Sequence, residues 1–527
     1  MKILIKNGLI VDGSLNKPYN ADVLIEEDRV KKIGKLIEDS DIVIDANEKV
    51  VCPGFIDTHS HSDLMILDNP YNEIKIRQGI TTEILGQDGL SMAPLPKKYI
   101  NQWRSIISAF NGDSNTIDWE YETTKNYLSI MEKNGVGLNQ GYLVPHGNIR
   151  LEAIGLEDKK ANFQDVAKMC QITRREMEAG AFGVSSGLIY APCVYADTDE
   201  LIEICKVVSE YNGIFVVHQR SEADDIIESM KEIIKIGRES RVKIHFSHFK
   251  VCGKNNWQYI DEALALLDEA KREGIKVSFD QYPYAAGSTS LGVILPSWVH
   301  EGGTEKLLKR LESEEVRKKI IADIKNGIPG WDNFINFAGL DQIFVTSVKT
   351  DKNKDTVGKN LVELGELRRK DPYNATFDLL YEEENSVGMV DFYGMEEHII
   401  KILKRPEQNV CTDGMMSEKP HPRLFGSFPR VLGRYVREQK ALTIEEAIYK
   451  MTKKPAETFN IRDRGEIKEG NIADIVIFDM KEIEDKGTFI EPVQFSEGIE
   501  YVLINGKVVI LDKKYHSILA GKVLKRI

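Results

Sequence analysis

The sequence predicts an α/β fold: a (β/α)8, TIM-like barrel with a small β-sandwich built from both chain ends and an inserted segment that covers the barrel. Three observations predict it. Short apolar strands alternate with amphipathic helices through the middle of the chain, both ends read as strands and turns alone, and histidines or aspartates recur where the middle strands stop. Successive strand–helix units imply a parallel sheet covered on both faces. Their number suggests a closed barrel. An open doubly wound sheet is the alternative, but no Gly-x-Gly-x-x-Gly follows a first strand.

Residues 1–52 hold short strands such as Ile3-Leu4-Ile5, Leu9-Ile10-Val11 and Asp22-Val23-Leu24-Ile25, parted by turn pairs Asp12-Gly13 and Glu27-Asp28. The other end has the same character, in Asp474 to Asp479 and Ile499 to Val509. Neither end is large enough to bury a good core alone, so the two are expected to pair. The expected division is 1–53 and 464–527 for the β unit, with 54–463 for the barrel. Four helices are expected over Asp165–Gly180, Asp199–Tyr211, Asp224–Gly237 and Tyr259–Arg272, each with apolar residues on one face. Strands at Ile214–Val217, Val242–Ser247 and Lys276–Phe279 alternate with them. Residues 300–395 are charged and irregular, too long for a barrel loop, and read as an insertion over the barrel mouth.

Composition narrows the function. The chain has 527 residues, 42% of them hydrophobic, which is ample for a large core. A net charge of −13 argues against nucleic acid or an anionic membrane as partner. Six cysteines without a close-spaced framework speak against structural disulfides or a zinc ribbon. No apolar run reaches membrane-spanning length, and the first residues go straight into strand alternation without a leader. A cytoplasmic protein is expected. Its oligomeric state is not legible.

Chemistry gathers at the strand ends, where barrel enzymes place it. In Phe55-Ile56-Asp57-Thr58-His59-Ser60-His61, residues two apart share a side, so His59 and His61 present two imidazoles to one place. Ile80 to Leu85 runs into Gly86-Gln87-Asp88-Gly89, Ile214 to Val217 into His218, Ile244 to Ser247 into His248, and Gln408 to Thr412 into Asp413. Each has a plainer reading: a lone histidine after a strand is commonly a bonded core residue, and Asp88 and Asp413 both suit turns. Their recurrence at successive strand ends is harder to explain by turns. Four imidazoles with two carboxylates suit zinc, with manganese, cobalt and iron(II) open. His146 reads as structural or as a support behind the ligands. His245 is expected to point away from His248 and to bind no metal, and His300, His398 and His516 read as surface or structural.

Several longer stretches are similar to the amidohydrolase superfamily and, within it, to the D-aminoacylase (N-acyl-D-amino-acid deacylase) family. They are Pro53 to His61, Ser185-Ser186-Gly187-Leu188-Ile189-Tyr190-Ala191-Pro192, Asp280-Gln281-Tyr282-Pro283-Tyr284, His421 to Arg430, and Gly465 to Asp474. The resemblance implies metal-dependent hydrolysis of N-acyl-D-amino acids, small molecules, with one or two zinc ions. It matches His59, His61 and Asp413 to one metal position and His218 and His248 to the other. It makes Asp413 the general base and Tyr190 a partner of the oxyanion. Lys250, Tyr282, Ser288 and Arg423 fall around the substrate's α-carboxylate, for which a guanidinium fork is well shaped.

One departure matters. The family carries Gly-Asn-Cys-Gly with a ligating cysteine where this chain has Gly86-Gln87-Asp88-Gly89. A carboxylate can bridge two ions with one oxygen each, and it is a harder ligand than a thiolate. A hydantoinase- or dipeptidase-like amide hydrolase is the rival among enzymes, but those typically use a strand-end lysine that is absent here. A barrel that has lost its metal and serves as a scaffold is the rival of another class.

Overall fold

Eight parallel strands follow one another round a single sheet in the computed structural model, which describes residues 1–526 apart from the side chains at 109 and 111. They are Phe55–Asp57, Ile80–Leu85, Asn139–Pro145, Gly183–Gly187, Ile214–His218, Lys243–Phe246, Val277–Gln281 and Gln408–Val410. Helices lie between them in sequence, so the chain is the expected (β/α)8 barrel. The first and last strands meet through a single isolated bridge, Ser60 to Gly414.

Side chains close that seam. Asp57 Oδ1 accepts from the Thr412 N–H at 2.8 Å, and Asp57 Oδ2 accepts from Lys75 Nζ and Thr412 Oγ1, both at 2.6 Å. Lys75 Nζ also donates to Ser60 Oγ at 3.0 Å and to Thr412 Oγ1 at 2.6 Å. Lys75 is fully buried. A buried ammonium is tolerable only when its donors are all engaged and a carboxylate faces it.

Strand parity sorts the core into two. Ile214 and Val216 pack inside the barrel with Ile84, Leu143, Phe182 and Phe459. Phe215 and Val217 point outward onto the helices, among Leu201, Met230 and Ile233. His218 continues the inward set and so reaches the barrel mouth. The helices fall close to their expected spans, at Phe163–Glu178, Thr198–Glu210, Ile226–Ser240 and Ile260–Arg272. Asn162 and Asp197 cap the first two by accepting backbone N–H groups. The third runs past Gly237, a glycine that sits against Ile244 and Ile275, where a Cβ would be tight at 3.0 Å. The fourth buries Ile260, Ala263, Leu264, Leu267 and Ala270, each large apolar side chain contributing about 1.5–3 kcal/mol.

The two chain ends pair into one β unit, a continuous nine-stranded sheet: Val50–Pro53 pairs with Ile475–Phe478 and joins the N-terminal strands to the C-terminal ones. Alternation again sorts its faces. Ile475 and Ile477 pack with Ile3, Ile5 and Val23 on one side. Val476 and Phe478 pack on the other against barrel-side residues Phe428, Val431 and Ile448.

The insertion begins earlier than the expected residue 300. Its sheet is antiparallel, Ala286–Ser290 and Ile343–Ser347 flanking Gly388–Phe392. Helices Thr304–Glu312, Glu314–Asn326, Leu361–Arg368 and Pro372–Glu382 cover it, sharing a core of Leu307, Leu311, Ile320, Val345, Leu364 and Phe377. Among the described residues, no helix is long and apolar enough to cross a membrane.

Candidate active site

His59 and His61 leave the end of the first strand on the same side. The residues between and before them face elsewhere: Thr58 Oγ1 donates to Asp280 Oδ2 at 3.0 Å, and Ser60 Oγ donates to Glu83 Oε2 at 2.7 Å. The His59 carbonyl accepts the Asp413 N–H at 2.9 Å and so places the last strand's aspartate beside the first strand's histidines. Asp413 Oδ1 lies 3.6 Å from His59 Nε2 and 3.2 Å from His61 Nε2.

Asp88 stands between two groups. Its Oδ2 is 3.5 Å from His59 Nε2 and 3.6 Å from His61 Nε2, while its Oδ1 is 3.7 Å from His248 Nε2. His218 Nδ1 lies 2.9 Å from His248 Nε2. The donor atoms of His59, His61, Asp88 and Asp413 all lie within 4.8 Å of one another, as do those of Asp88, His218 and His248. The structure therefore brings together all six residues that the strand ends nominated, in two sets that share Asp88.

Backbone conformation aims three of them. Asp88, His248 and Asp413 have φ of +54°, +36° and +47°. Non-glycine residues adopt this region at a cost and keep it where the surroundings enforce it. At His248 the kink reverses strand parity. His245, not His248, is the inward residue of that strand, and it sits beneath the ligands with its Nε2 3.0 Å from Asp280 Oδ2. His245 therefore faces the barrel interior, where it pairs with Ser278 and Asp280 and lies outside the converging donor sets. At the second strand, Gly86 is obligatory: its φ is +78°, and a Cβ there would fall 2.0 Å from the Leu143 carbonyl oxygen.

Both ring nitrogens of His59, Asp88 Oδ1 and His218 Nε2 are buried without a hydrogen-bond partner. Such atoms each cost about 1–3 kcal/mol when left unsatisfied, and buried polar groups are ordinarily paired. Here the orphans coincide with the nitrogen and carboxylate donors that a borderline divalent cation takes. The residues fit the group.

Two acidic residues that the strand-end reading passed over support the set. Asp280 accepts the His248 N–H as well as Thr58 and His245. Burial alone would raise its carboxyl, but His245 and His59 outweigh that and hold it below the usual range. Glu222 Oε1 lies 3.1 Å from His248 Nδ1, and its Oε2 is 2.6 Å from Lys250 Nζ. Burial opposes its charge and Lys250 overcomes this, holding its carboxyl down at about 2. Glu222 was findable, four residues beyond the strand-end His218. His146 lies apart: its nitrogens meet Ser186 Oγ at 2.9 Å and Glu200 Oε1 at 2.8 Å.

The remaining nominated residues line one cleft of about 480 Å³ with the donors: Tyr190, Lys250, Tyr282, Ser288 and Arg423. Arg423 opens the helix Arg423–Arg430 and does not present a free fork. Its Nη1 is 2.9 Å from Asp413 Oδ2 and its Nη2 donates to the Ser288 carbonyl at 3.0 Å, leaving a buried Nε without a partner. The Tyr190 hydroxyl pairs with Thr289 Oγ1 at 3.0 Å. Asp332, Phe334, Phe337, Asp391 and Tyr393 bring the insertion into the cleft wall.

Imidazoles and carboxylates converging on the mouth of a parallel barrel define a metal-binding barrel of the kind that activates water. The sequence pattern of the amidohydrolase family matches residues 42–283 and 409–510, and the stretch between these segments holds the three-stranded insertion. The chain is 31% identical over 526 residues to D-aminoacylase of Alcaligenes xylosoxydans xylosoxydans, spanning 99% of this chain and 97% of that protein. It is 31% identical over 528 residues to N-acyl-D-glutamate deacylase of the same organism, spanning 100% and 97%. The crystal structure of N-acyl-D-glutamate deacylase from Bordetella bronchiseptica, complexed with zinc and a phosphonate inhibitor, matches with a TM-score of 0.85 at 30% identity, over 99% of each chain. The chain belongs to the amidohydrolase family.

Proposed function

We propose that this chain hydrolyses the amide bond of N-acyl-D-amino acids, releasing a carboxylate and a free D-amino acid. His59, His61, Asp88, His218, His248 and Asp413 would hold the metal, zinc first by donor chemistry and by likeness to the zinc-bound relative. The observation that carries this reading is Asp88, with one oxygen toward the His59–His61 pair and the other toward His248. The names of the full-length relatives support the substrate class and its D configuration. A divalent ion bound there supplies the positive charge that lets a water molecule lose a proton near neutral pH.

Asp413 serves as general base. It takes the proton from water as the water oxygen adds to the amide carbonyl carbon, and it returns that proton to the nitrogen as the C–N bond breaks. Burial would raise its carboxyl, but the Arg423 guanidinium and the neighbouring imidazoles outweigh burial and hold it well below the usual range. Arg423 thus fixes the base's second oxygen. Lys250, Tyr282, Ser288 and the free Nε of Arg423 flank the α-carboxylate, and Tyr190 faces the oxyanion. Residues 54–463 form the catalytic barrel, with 1–53 and 464–527 as its β partner, and the separate sheets support that division. Six unpaired cysteines support a reducing, cytoplasmic setting.

The test is a hydrolysis screen of paired N-acetyl-D- and N-acetyl-L-amino acids after chelation and after zinc is restored. Turnover of the D series that vanishes with the metal and returns with zinc is expected. Full activity in verified metal-free protein, or a preference for the L series, contradicts the reading.

A further inference from the structure

The Tyr190 ring has a second cavity on it. This pocket, open to solvent at one side, shares Phe110 and Tyr190 with the metal-site cleft. Its walls include Leu90, Ile106, Ile189, Val293, Leu307 and Trp331, so barrel loops and the insertion build it together. Its chemistry is the opposite of the cleft's. The cleft carries Asp88, Glu222, Asp391, Asp413, Lys250 and Arg423, whereas no aspartate, glutamate, lysine or arginine lines the second cavity. Its one histidine, His300, has its Nε2 3.0 Å from the Gly292 carbonyl oxygen.

The arrangement of charge orients a substrate across the two spaces. The two cations of the cleft, Lys250 and Arg423, both lie over the Tyr282 ring, 5.8 and 4.4 Å from its centroid. An α-carboxylate has its natural partners at that wall. Tyr190 lies elsewhere, against His218 and Phe110 with ring centroids 5.3 and 5.0 Å away. With the carboxylate at the Tyr282 wall and the carbonyl at the histidines, the carbonyl's remaining substituent would run toward Tyr190, which packs on His218. That substituent is the acyl chain.

We propose that the second cavity is the acyl subsite, and that the preferred substrates are N-acyl-D-amino acids with a medium-length or long apolar acyl group in place of acetyl. This rests on the hydrolytic reading above and names its substrate class. Each methylene moved from water into such a space is worth about a fourfold gain in binding, so a few carbons decide the preference.

The test uses metal-loaded full-length enzyme and N-acetyl-, N-hexanoyl- and N-octanoyl-D-alanine, the small side chain leaving the cavity to the acyl group. The kcat/KM is expected to climb along the series, by up to about fourfold per methylene. Calorimetry on chelated protein is expected to show the same order of binding. Val293→Phe and Ile106→Phe, which fill the cavity from two sides, are expected to lower the octanoyl-to-acetyl ratio at least tenfold. A flat or falling series in the wild-type enzyme that still cleaves N-acetyl-D-alanine overturns the acyl subsite and leaves the hydrolytic reading intact. A gain that follows the amino-acid side chain, with N-acetyl-D-leucine favoured and acyl length without effect, overturns it in the same way. No hydrolysis of any member by zinc-loaded enzyme overturns both.

Discussion

Two buried polar clusters lie one above the other where the first and last barrel strands meet, and they differ in their hydrogen bonds. In the seam, Lys75 uses its donors on Asp57, Ser60 and Thr412. Glu83 beside it accepts from Ser60, Ser62, Asn72 and Gln140. In the mouth just beyond, the His59 ring has no hydrogen-bond partner at either nitrogen, and Asp88 Oδ1 and His218 Nε2 have none. Both clusters are buried, the seam completely and the mouth residues except where they line the cleft. Charges met by their partners mark a device for holding strands together, even with Asn72 Oδ1 and Gln140 Oε1 unpaired beside them, and orphaned imidazole and carboxylate atoms that converge within ligand distance mark a place for an ion.

The largest expected effect lies on the mouth side. Asp413→Asn removes the proton acceptor while keeping the side chain's shape, so kcat is expected to fall by about 10²–10⁴. Metal analysis of the same preparation separates this from ligand loss. A variant that keeps its metal and turns over near the normal rate takes Asp413 out of the reaction.

On the seam side, Lys75→Met leaves Asp57 and Glu83 buried without their cation. Breaking a buried pair from one side costs about 3–5 kcal/mol, read as a drop in the denaturant midpoint of the holoenzyme. If the midpoint moves by less than the equivalent of about 1 kcal/mol, the scale of an exposed pair, the seam is held by something else.

A smaller effect would extend the comparison to the insertion. Asp332, Phe334, Asp391 and Tyr393 line the cleft from that unit, and we expect it to close over bound substrate and exclude water. Hydrogen exchange at saturating substrate analogue is expected to slow within 286–393. Unchanged exchange there contradicts closure.

The mouth was far more legible in the sequence than the seam. Strand parity places His59 with His61 and carries His218 inward, both local properties of the chain. The partner of Lys75 is different in kind: Thr412 is 337 residues away, and no local pattern announces it. Arg423 was expected to meet substrate, but its bond to Asp413 depends on how the helix start folds back onto the last strand. The insertion's early start was hidden by composition. Ala286-Gly287-Ser288-Thr289-Ser290 has little apolar content, and it is a strand because Gly388–Phe392 pairs with it. His245 shows the limit of parity itself, which fails at the positive φ of His248.

Asp88 is the residue shared by the two candidate donor sets, in the place where the family resemblance puts a cysteine. Asp88→Asn keeps the turn chemistry at φ +54° and removes the charge. Metal content per chain, measured on wild type and this variant loaded side by side with zinc, tests the claim most directly. Two ions in the wild type and a loss of at least one in the variant, with activity falling alongside, is the predicted result. Equal stoichiometry and equal activity in the two would show that Asp88 only makes the turn, and the shared-ligand account would be wrong.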